Sequence, residues 1–579
     1  MLMFNFIQNF VTTAPPHLVT LIEIGLIIII ASFFAFLIRM FRQPLIPAYI
    51  FTGILIGPLF FNLIGDAHLI GSLSEIGVAF LIFTAGLEIK FRKLKEVGKV
   101  ATVTGVLQMI LLFGLGFFVA KLLGFSGIAL AYIGIVVAFS STMIVLTLLA
   151  EKKEINSLHG RIVIGILLIQ DIAAIIVLAV LSSDLSFNSI LIVLAKALAF
   201  AVFAFVLSKL INPVFKNAAK SSEMLLLVSV SLLFLFIFGS FVSGLSLIIG
   251  AFFAGVTLAN SDYKTEIQWK ITPLREFFAI IFFVALGMQL MVIPKEFLIL
   301  LLVLLVLVVA VKPLVIMFIV RLMGYKKRTS FLTGNSLAQT SEFSLVILAI
   351  GFGLGHINQG LFSSLVLLTI LTMSLTTYFI SYEKKLTNWF DWPLNFLNKV
   401  HSRKEELEYD DNEENRIIIF GCHRAGSLLL KDFEKQKENL FVVDYNPEII
   451  RSLIEKKIPC IYGDFMNAEI FKKAGVSGAE IVISTIPDYE DNILLLKKIR
   501  RVNKNALIVI VANRIREAIS LYKAGADYVI IPQIEGGKKA FEMVRKFKKG
   551  GGVSEGSKIM KDFKREQIKY LNSIHHILY

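Results

Sequence analysis

The chain is poor in the residues from which soluble enzymes build reactive centres. Only two cysteines occur among 579 residues, Cys422 and Cys460, too few for a thiolate metal cluster or a disulfide framework. Charged residues make up 17% and hydrophobic ones 56% of the sequence, an apolar excess that no soluble domain needs. The net charge of +15 is scattered over loops rather than gathered into a patch, which argues against nucleic acid as a partner. The opening "MLMFNFIQNFVTTAPPH" lacks the basic n-region of a cleavable signal, so the first apolar segment is expected to stay. There is no "TVGYG"-like filter and no short pore loop of the kind potassium channels require.

What is present is a series of apolar runs long enough to cross a bilayer as helix. They crowd into residues 18–384, and about thirteen spans are expected, near 18–38, 44–63, 68–89, 99–124, 127–150, 160–182, 187–212, 221–239, 243–260, 272–291, 295–323, 328–354 and 359–382. The loops give an independent check, because Lys and Arg accumulate on the cytoplasmic side. Arg39, Arg42, Arg92, Lys93, Lys95, Lys152, Lys153, Lys216, Lys220, Lys264, Lys270, Lys326, Lys327 and Arg328 all follow odd-numbered spans. Only Lys121 and Lys295 break the alternation. The pattern places the N-terminus outside and the polar C-terminal region in the cytoplasm. Part of the positive charge then serves attraction to anionic lipid.

Four features interrupt the spans. "GILLIQDIAAIIVLAVL" carries Gln170 and Asp171 inside the sixth, and Lys312 with Pro313 stands midway along the eleventh. Ser140, Ser141 and Thr142 interrupt the fifth, and Asn335, Gln339, Thr340 and Glu342 the twelfth. An ionisable group at such depth costs several kcal/mol and usually faces a polar pathway. A lone lysine can instead snorkel, as expected for Lys196, and hydroxyls can bond back to their own helix. The arrangement decides: polar interruptions fall in spans five and six and again in eleven and twelve. Six spans, a linking seventh and six more make two inverted halves, and interrupted helices at matching places mark a transporter's midplane site. Asp171 is then expected to hold a cation and a proton in turn.

These residues resemble the Kef-type branch of the monovalent cation:proton antiporters, in which a Gln-Asp pair stands where sodium/proton relatives have Asp-Asp or Asn-Asp. The resemblance runs through "SSTMIVLTLLAEKKEINSLHGRIVIGILLIQDIAAI", "RQPLIPAYIFTGILIGP", "FLIFTAGLEI", "GLSLIIGAFFAGVTLA" and "FFAIIFFVALGMQL". It implies an NhaA-like antiporter fold with inverted repeats, a homodimer, and a core domain moving against a dimerisation domain. It further implies potassium as the favoured cation, Gln170 lining the site and Lys312 near it. Against the family pattern, Ser341 in "QTSEF" stands where a glycine is usual. Where glutathione-controlled members carry an acidic stretch, this chain has "DYKTEIQWKI".

Past residue 384 a charged linker (385–414) leads into alternating strands and helices (415–548), which imply a parallel, Rossmann-like α/β domain. "RIIIFGCHRAG" runs from a strand into a glycine turn, and "NLFVVDYNPE" ends a strand at Asp444. Gly421, Gly426 and Asp444 hold the places that cradle a phosphate and bind ribose, with His423 at the middle glycine position. The domain resembles an RCK (TrkA-N) regulatory domain, which implies that Arg424, Asp464 and Thr485 also approach the ligand. An adenine nucleotide, AMP or NAD(H), is the expected regulator. Too few residues follow for a second RCK lobe, and 549–579 reads as a flexible basic tail. The expected activity is potassium:proton antiport by alternating access, with no enzymatic step and no metal beyond the transported cation. Sodium:proton antiport is the alternative, and an RCK-gated channel or a membrane dehydrogenase explains less of the chain.

Overall fold

The computed structural model describes residues 16–41, 43–63, 67–88, 98–152, 154–155, 157–181, 186–325, 327–383, 386, 408–409, 417–422, 426, 429–430, 439–444, 446–463, 465, 468–549 and 564–565. The chain divides into two units, Met1–Ile155 with His159–His401 and Asn156–Leu158 with Ser402–Tyr579. The division at 401 falls inside the expected linker.

The described residues of the first unit form helices joined by turns. Its helices are α1 (Pro16–Met40), α2 (Leu45–Ile56), α3 (Ala67–Glu88), α4 (Gly98–Leu122), α5 (Ala129–Ala138), α6 (Thr142–Glu151), α7 (Leu158–Leu181), α8 (Phe187–Leu210) and α9 (Asn212–Ala218). They continue with α10 (Ser222–Val242), α11 (Leu247–Ala259), α12 (Lys264–Met288), α13 (Lys295–Val306), α14 (Lys312–Leu322), α15 (Lys327–Ser336), α16 (Glu342–Gly353) and α17 (Gln359–Ser381). Among the described residues, ten helices are long and apolar enough to cross a membrane, counting α5 with α6 and α13 with α14 as one each. Three shorter apolar helices, α2, α11 and α16, sit where the second, ninth and twelfth spans are expected. Serine and asparagine caps start several of them: Ser141, Ser186, Ser221, Ser246, Ser341 and Asn358 each accept from a backbone N–H of the first turn. These bonds satisfy donors that a helix start otherwise leaves orphaned.

Helices in lipid gain little from burying more apolar surface, so close backbone approach holds them together. Helix α3 lies against α11 and α12, and glycines permit it. A Cβ on Gly255 would meet the Phe83 carbonyl at 2.1 Å, and one on Gly86 the Phe252 carbonyl at 2.3 Å. The expected tenth span begins earlier than its apolar stretch, because a polar turn and Pro273 are carried inside α12. A five-residue π-helical stretch, Leu307–Val311, joins α13 to α14 just before Lys312 and Pro313.

Among its described residues, the second unit alternates helices with the strands of a seven-stranded sheet: β1 (Glu408–Tyr409), β2 (Ile417–Phe420), β3 (Leu440–Asp444), β4 (Cys460–Tyr462), β5 (Ile481–Ser484), β6 (Leu507–Val511) and β7 (Tyr528–Ile530). The order is β1-β4-β3-β2-β5-β6-β7, parallel apart from β1. The central strands β2 and β3 are buried along their whole length, as strands covered on both faces must be. The order reverses between β2 and β5, the point at which such sheets bind ligands beyond their strand ends.

Candidate cation-exchange site

The two polar interruptions are breaks in the helix. Residues 139–141 separate α5 from α6, and 337–341 separate α15 from α16. The breaks touch: Ser140 Oγ donates to the Leu337 carbonyl at 3.1 Å, and Gln339 Nε2 donates to the Ser141 carbonyl at 3.4 Å. Ser341 is extended at φ −99° and its hydroxyl caps Phe343 N, so this break forms without the family's glycine. Two half-helix N-termini and two C-termini therefore converge, and the charges sort by the helix dipoles. Carboxylates gather at the positive N-terminal ends and the ammonium at the negative C-terminal end.

Asp171, from the middle of α7, faces the start of α6, where Thr142 Oγ1 lies 2.9 and 3.1 Å from its two carboxylate oxygens. Gln170 points the other way, and its Oε1 accepts from Ser140 N at 3.0 Å. Glu342, the first residue of α16, accepts from Met143 N at 3.3 Å. Thr142, Asp171 and Glu342 line one small cavity of about 40 Å³, room for a few waters or one partly hydrated monovalent ion. Glu342 Oε2 and, nearby in the breaks, Gln339 Oε1 are buried without a hydrogen-bond partner. Both are oxygen acceptors of the kind hard monovalent cations take.

Lys312 is fully buried, and its three donors go to carbonyls: Val137 at 3.0 Å, Phe139 at 2.7 Å and Gln339 at 2.7 Å. An ammonium has three donors, so Lys312 is committed to stapling both breaks and makes no hydrogen bond to Asp171. Lys196, expected to snorkel, is exposed and bonds the Ser243 carbonyl at 2.8 Å. Asn335 donates to the Phe379 carbonyl and Thr340 bonds Thr372, tying the second break to α17 rather than to the cavity.

Two residues that the sequence reading did not single out complete the cavity wall: Glu88, the last residue of α3, and Arg275, from the interior of α12. Both lie in helices whose apolar pattern hid them. The visible signals were a glutamate closing an apolar run in "FTAGLEI" and an arginine ahead of "FFAIIFFVALG".

In the sheet unit, Gly421 follows β2 at φ +85°, a left-handed conformation that favours glycine. A Cβ on Gly426 would meet the Gly421 carbonyl at 2.3 Å, so this turn closes only on glycine. Thr485, just past β5, donates to the same carbonyl at 2.7 Å, which places it with the turn at the point where strand order reverses. Asp444 is 4% exposed and accepts from Cys422 N at 2.5 Å and Asn446 N at 2.7 Å. It ties the glycine turn to the end of β3. His423, Arg424 and Asp464 lie outside the described residues. Burial first, and the neighbouring Asp444 second, push the Cys422 thiol up to about 12, so it is a packed and unreactive side chain.

The family description "Sodium/hydrogen exchanger, transmembrane" matches residues 25–381, and "TrkA-N domain" matches 417–532. The chain is 26% identical over 499 residues to the glutathione-regulated potassium-efflux system protein KefC of Salmonella arizonae, covering 84% of this chain and 78% of that one. It is 28% identical over 511 residues to the protein of the same name from Enterobacter sp. strain 638, covering 86% and 80%. A solved structure, the sodium proton antiporter MjNhaP1 from Methanocaldococcus jannaschii, is similar at 17% identity, with 63% of this chain and 96% of that one covered and a TM-score of 0.48. With the exchanger match spanning well over half of its length, this chain belongs to the sodium/hydrogen exchanger family, as a multi-pass transporter that carries a TrkA-N domain behind its exchanger segment.

Proposed function

We propose that the protein exchanges potassium for protons by alternating access, with Asp171 as the group that holds one or the other. The observation that carries this reading is the setting of Asp171. It lies at the crossing of two broken helices, open to a cavity, and its hydrogen-bonding partner there is the hydroxyl of Thr142. A carboxylate so lightly held can trade a proton for a cation, whereas one locked by several fixed donors cannot. Thr142 and Glu342 supply oxygens in the cavity beside it, while Ser140, Ser141, Gln339, Gln170 and Lys312 hold the two breaks together.

Potassium is favoured because the relatives named above are potassium-efflux proteins. Sodium is the second reading, favoured by the family description itself. Proteoliposomes compared side by side in potassium, rubidium and sodium separate the two. Potassium- and rubidium-driven proton movement that disappears in Asp171→Asn is the expected result. Equal exchange by the mutant would remove Asp171 from the mechanism.

The TrkA-N domain is read as the regulator, with AMP or NAD(H) held by the turn from Gly421 to Gly426, and with Asp444 and Thr485 beside it. Asp444 closes β3 beside the glycine turn, at the place where an acid in such a fold meets the ribose of a nucleotide. Regulation requires unequal affinity in the active and inactive states. The working unit is read as a homodimer in a prokaryotic inner membrane, as the resemblance implies, with the N-terminus outside and the TrkA-N domain in the cytoplasm on the basis of the loop charges.

A further inference from the structure

The cavity beside Asp171 has two walls of different character. One is the crossing itself, α6, α7 and α16, with Thr142, Asp171 and Glu342. The other is built by α3 and α12, which bring Glu88 and Arg275. The second wall is stiff, since α3 is pressed against α11 at Gly86 and Gly255 with no room for a methyl group. The cavity thus collects three carboxylates, while Arg275 is the one cation among its lining residues.

Of the three, Glu342 is buried, Asp171 partly buried and Glu88 exposed, so a compensating charge matters most at the Glu342 end of the cavity. Lys312 is no candidate for that task, because its donors are all used on carbonyls. Arg275 is 8% exposed, so water screens its charge less than it would at the surface. It lines the cavity with Glu342 and Glu88, whose carboxylates a guanidinium there attracts, while Lys264 is a second cation within electrostatic reach of Glu88. Its hydrogen bond to Glu276, at 3.5 Å and on the solvent-exposed side, is too long to hold the guanidinium. Meanwhile Glu342 Oε2 is buried, unpartnered and in the same cavity.

We propose that Arg275 is a tethered counter-cation: it balances Glu342 and Glu88 when Asp171 carries no cation, and it competes with the transported ion for the cavity. It is a positioning residue that sets how tightly the cation is held, not a group that carries the proton. This rests on the reading of Asp171 as the exchange site. The consequence is a trade-off: the competing charge weakens cation binding and speeds cation release.

The experiment is potassium-concentration dependence of exchange in proteoliposomes of the full chain, for wild type, Arg275→Gln, Arg275→Lys and Glu88→Gln. Removing a unit charge several ångströms from a cation site in partly desolvated surroundings strengthens binding by about tenfold or more. Arg275→Gln is therefore expected to lower the half-saturating potassium concentration about tenfold and to lower the maximal rate, while Arg275→Lys stays near wild type. Glu88→Gln, on the same wall, is expected to shift half-saturation in the opposite direction. It stands in as the test if Arg275→Gln does not fold. Potassium-dependent protection against thermal unfolding in detergent should follow the same order without requiring turnover. A fall in rate with unchanged half-saturation, or failure of Arg275→Lys to restore it, overturns the proposal. If Asp171→Asn were instead fully active, the underlying reading would fall first, and the two failures are told apart by that control.

Discussion

Two aspartates in this chain, Asp444 buried and Asp171 partly buried, are held in opposite ways. Asp444 accepts two backbone amides, at 2.5 and 2.7 Å, and backbone donors cannot rotate away. Asp171 has one hydroxyl shared between its two oxygens, at 2.9 and 3.1 Å, and a threonine hydroxyl can turn to serve either protonation state. The first arrangement fixes an anion as part of a scaffold. The second leaves a carboxylate free to change its ligand. The difference separates a group that organises a binding turn from a group that takes part in a cycle.

Substitution sharpens the contrast, with the largest effect at the exchanging acid. Asp171→Asn is expected to abolish exchange while the protein remains folded and its melting temperature in detergent is unchanged or higher, since a partly buried carboxylate is removed. Asp444→Ala is expected to leave exchange possible but to destabilise the sheet unit by about 1–3 kcal/mol, the cost of orphaning buried donors. It should also weaken AMP or NADH binding to the full chain, measured by calorimetry.

Lys312→Met comes next. Removing the staple leaves three buried carbonyls without this donor, and a loss of about 3 kcal/mol is expected, read as a drop in detergent melting temperature. Lys196→Met, at an exposed site, should be near neutral. An unchanged melting temperature for Lys312→Met would show that the breaks are held by something else. Thr142→Val is a smaller change. It removes the hydroxyl from Asp171, and a several-fold shift in half-saturating potassium with little loss of stability is expected.

The smallest effect concerns Cys422. Its pKa rises from an ordinary 9.0 to about 12 through burial. Between those values the unfolded chain has lost a proton that the folded one keeps, so stability falls as pH rises from 9.0 towards 12. Below that window nothing changes. Native protein should resist iodoacetamide at pH 8 until denaturant is added, and rapid labelling of the folded chain would contradict the packed thiol.

Much of this was legible in the sequence for physical reasons. Apolar length and loop charge report the bilayer directly, and hydroxyl and amide clusters within apolar runs report helix breaks, because only there does lipid-embedded backbone need polar company. Ser140–Thr142 and Gln339–Glu342 marked both breaks. The glycine turn was legible because Gly421 and Gly426 answer to backbone geometry alone. What Lys312 binds was not legible: a lysine near an acid in sequence order says nothing of which carbonyls its ammonium reaches. The wall bearing Glu88 and Arg275 was hidden as well. It is assembled by glycine contacts between α3, α11 and α12, and such contacts leave no periodic signal in hydropathy.

The central claim is that a cation and a proton take turns at Asp171, and it is tested most directly without any gradient. Purified protein in weakly buffered detergent with a pH indicator is titrated with potassium chloride, with choline chloride as the ionic-strength control. The account predicts that wild type releases protons saturably as potassium binds, and that Asp171→Asn, still folded, releases none. Equal proton release from the mutant would contradict it.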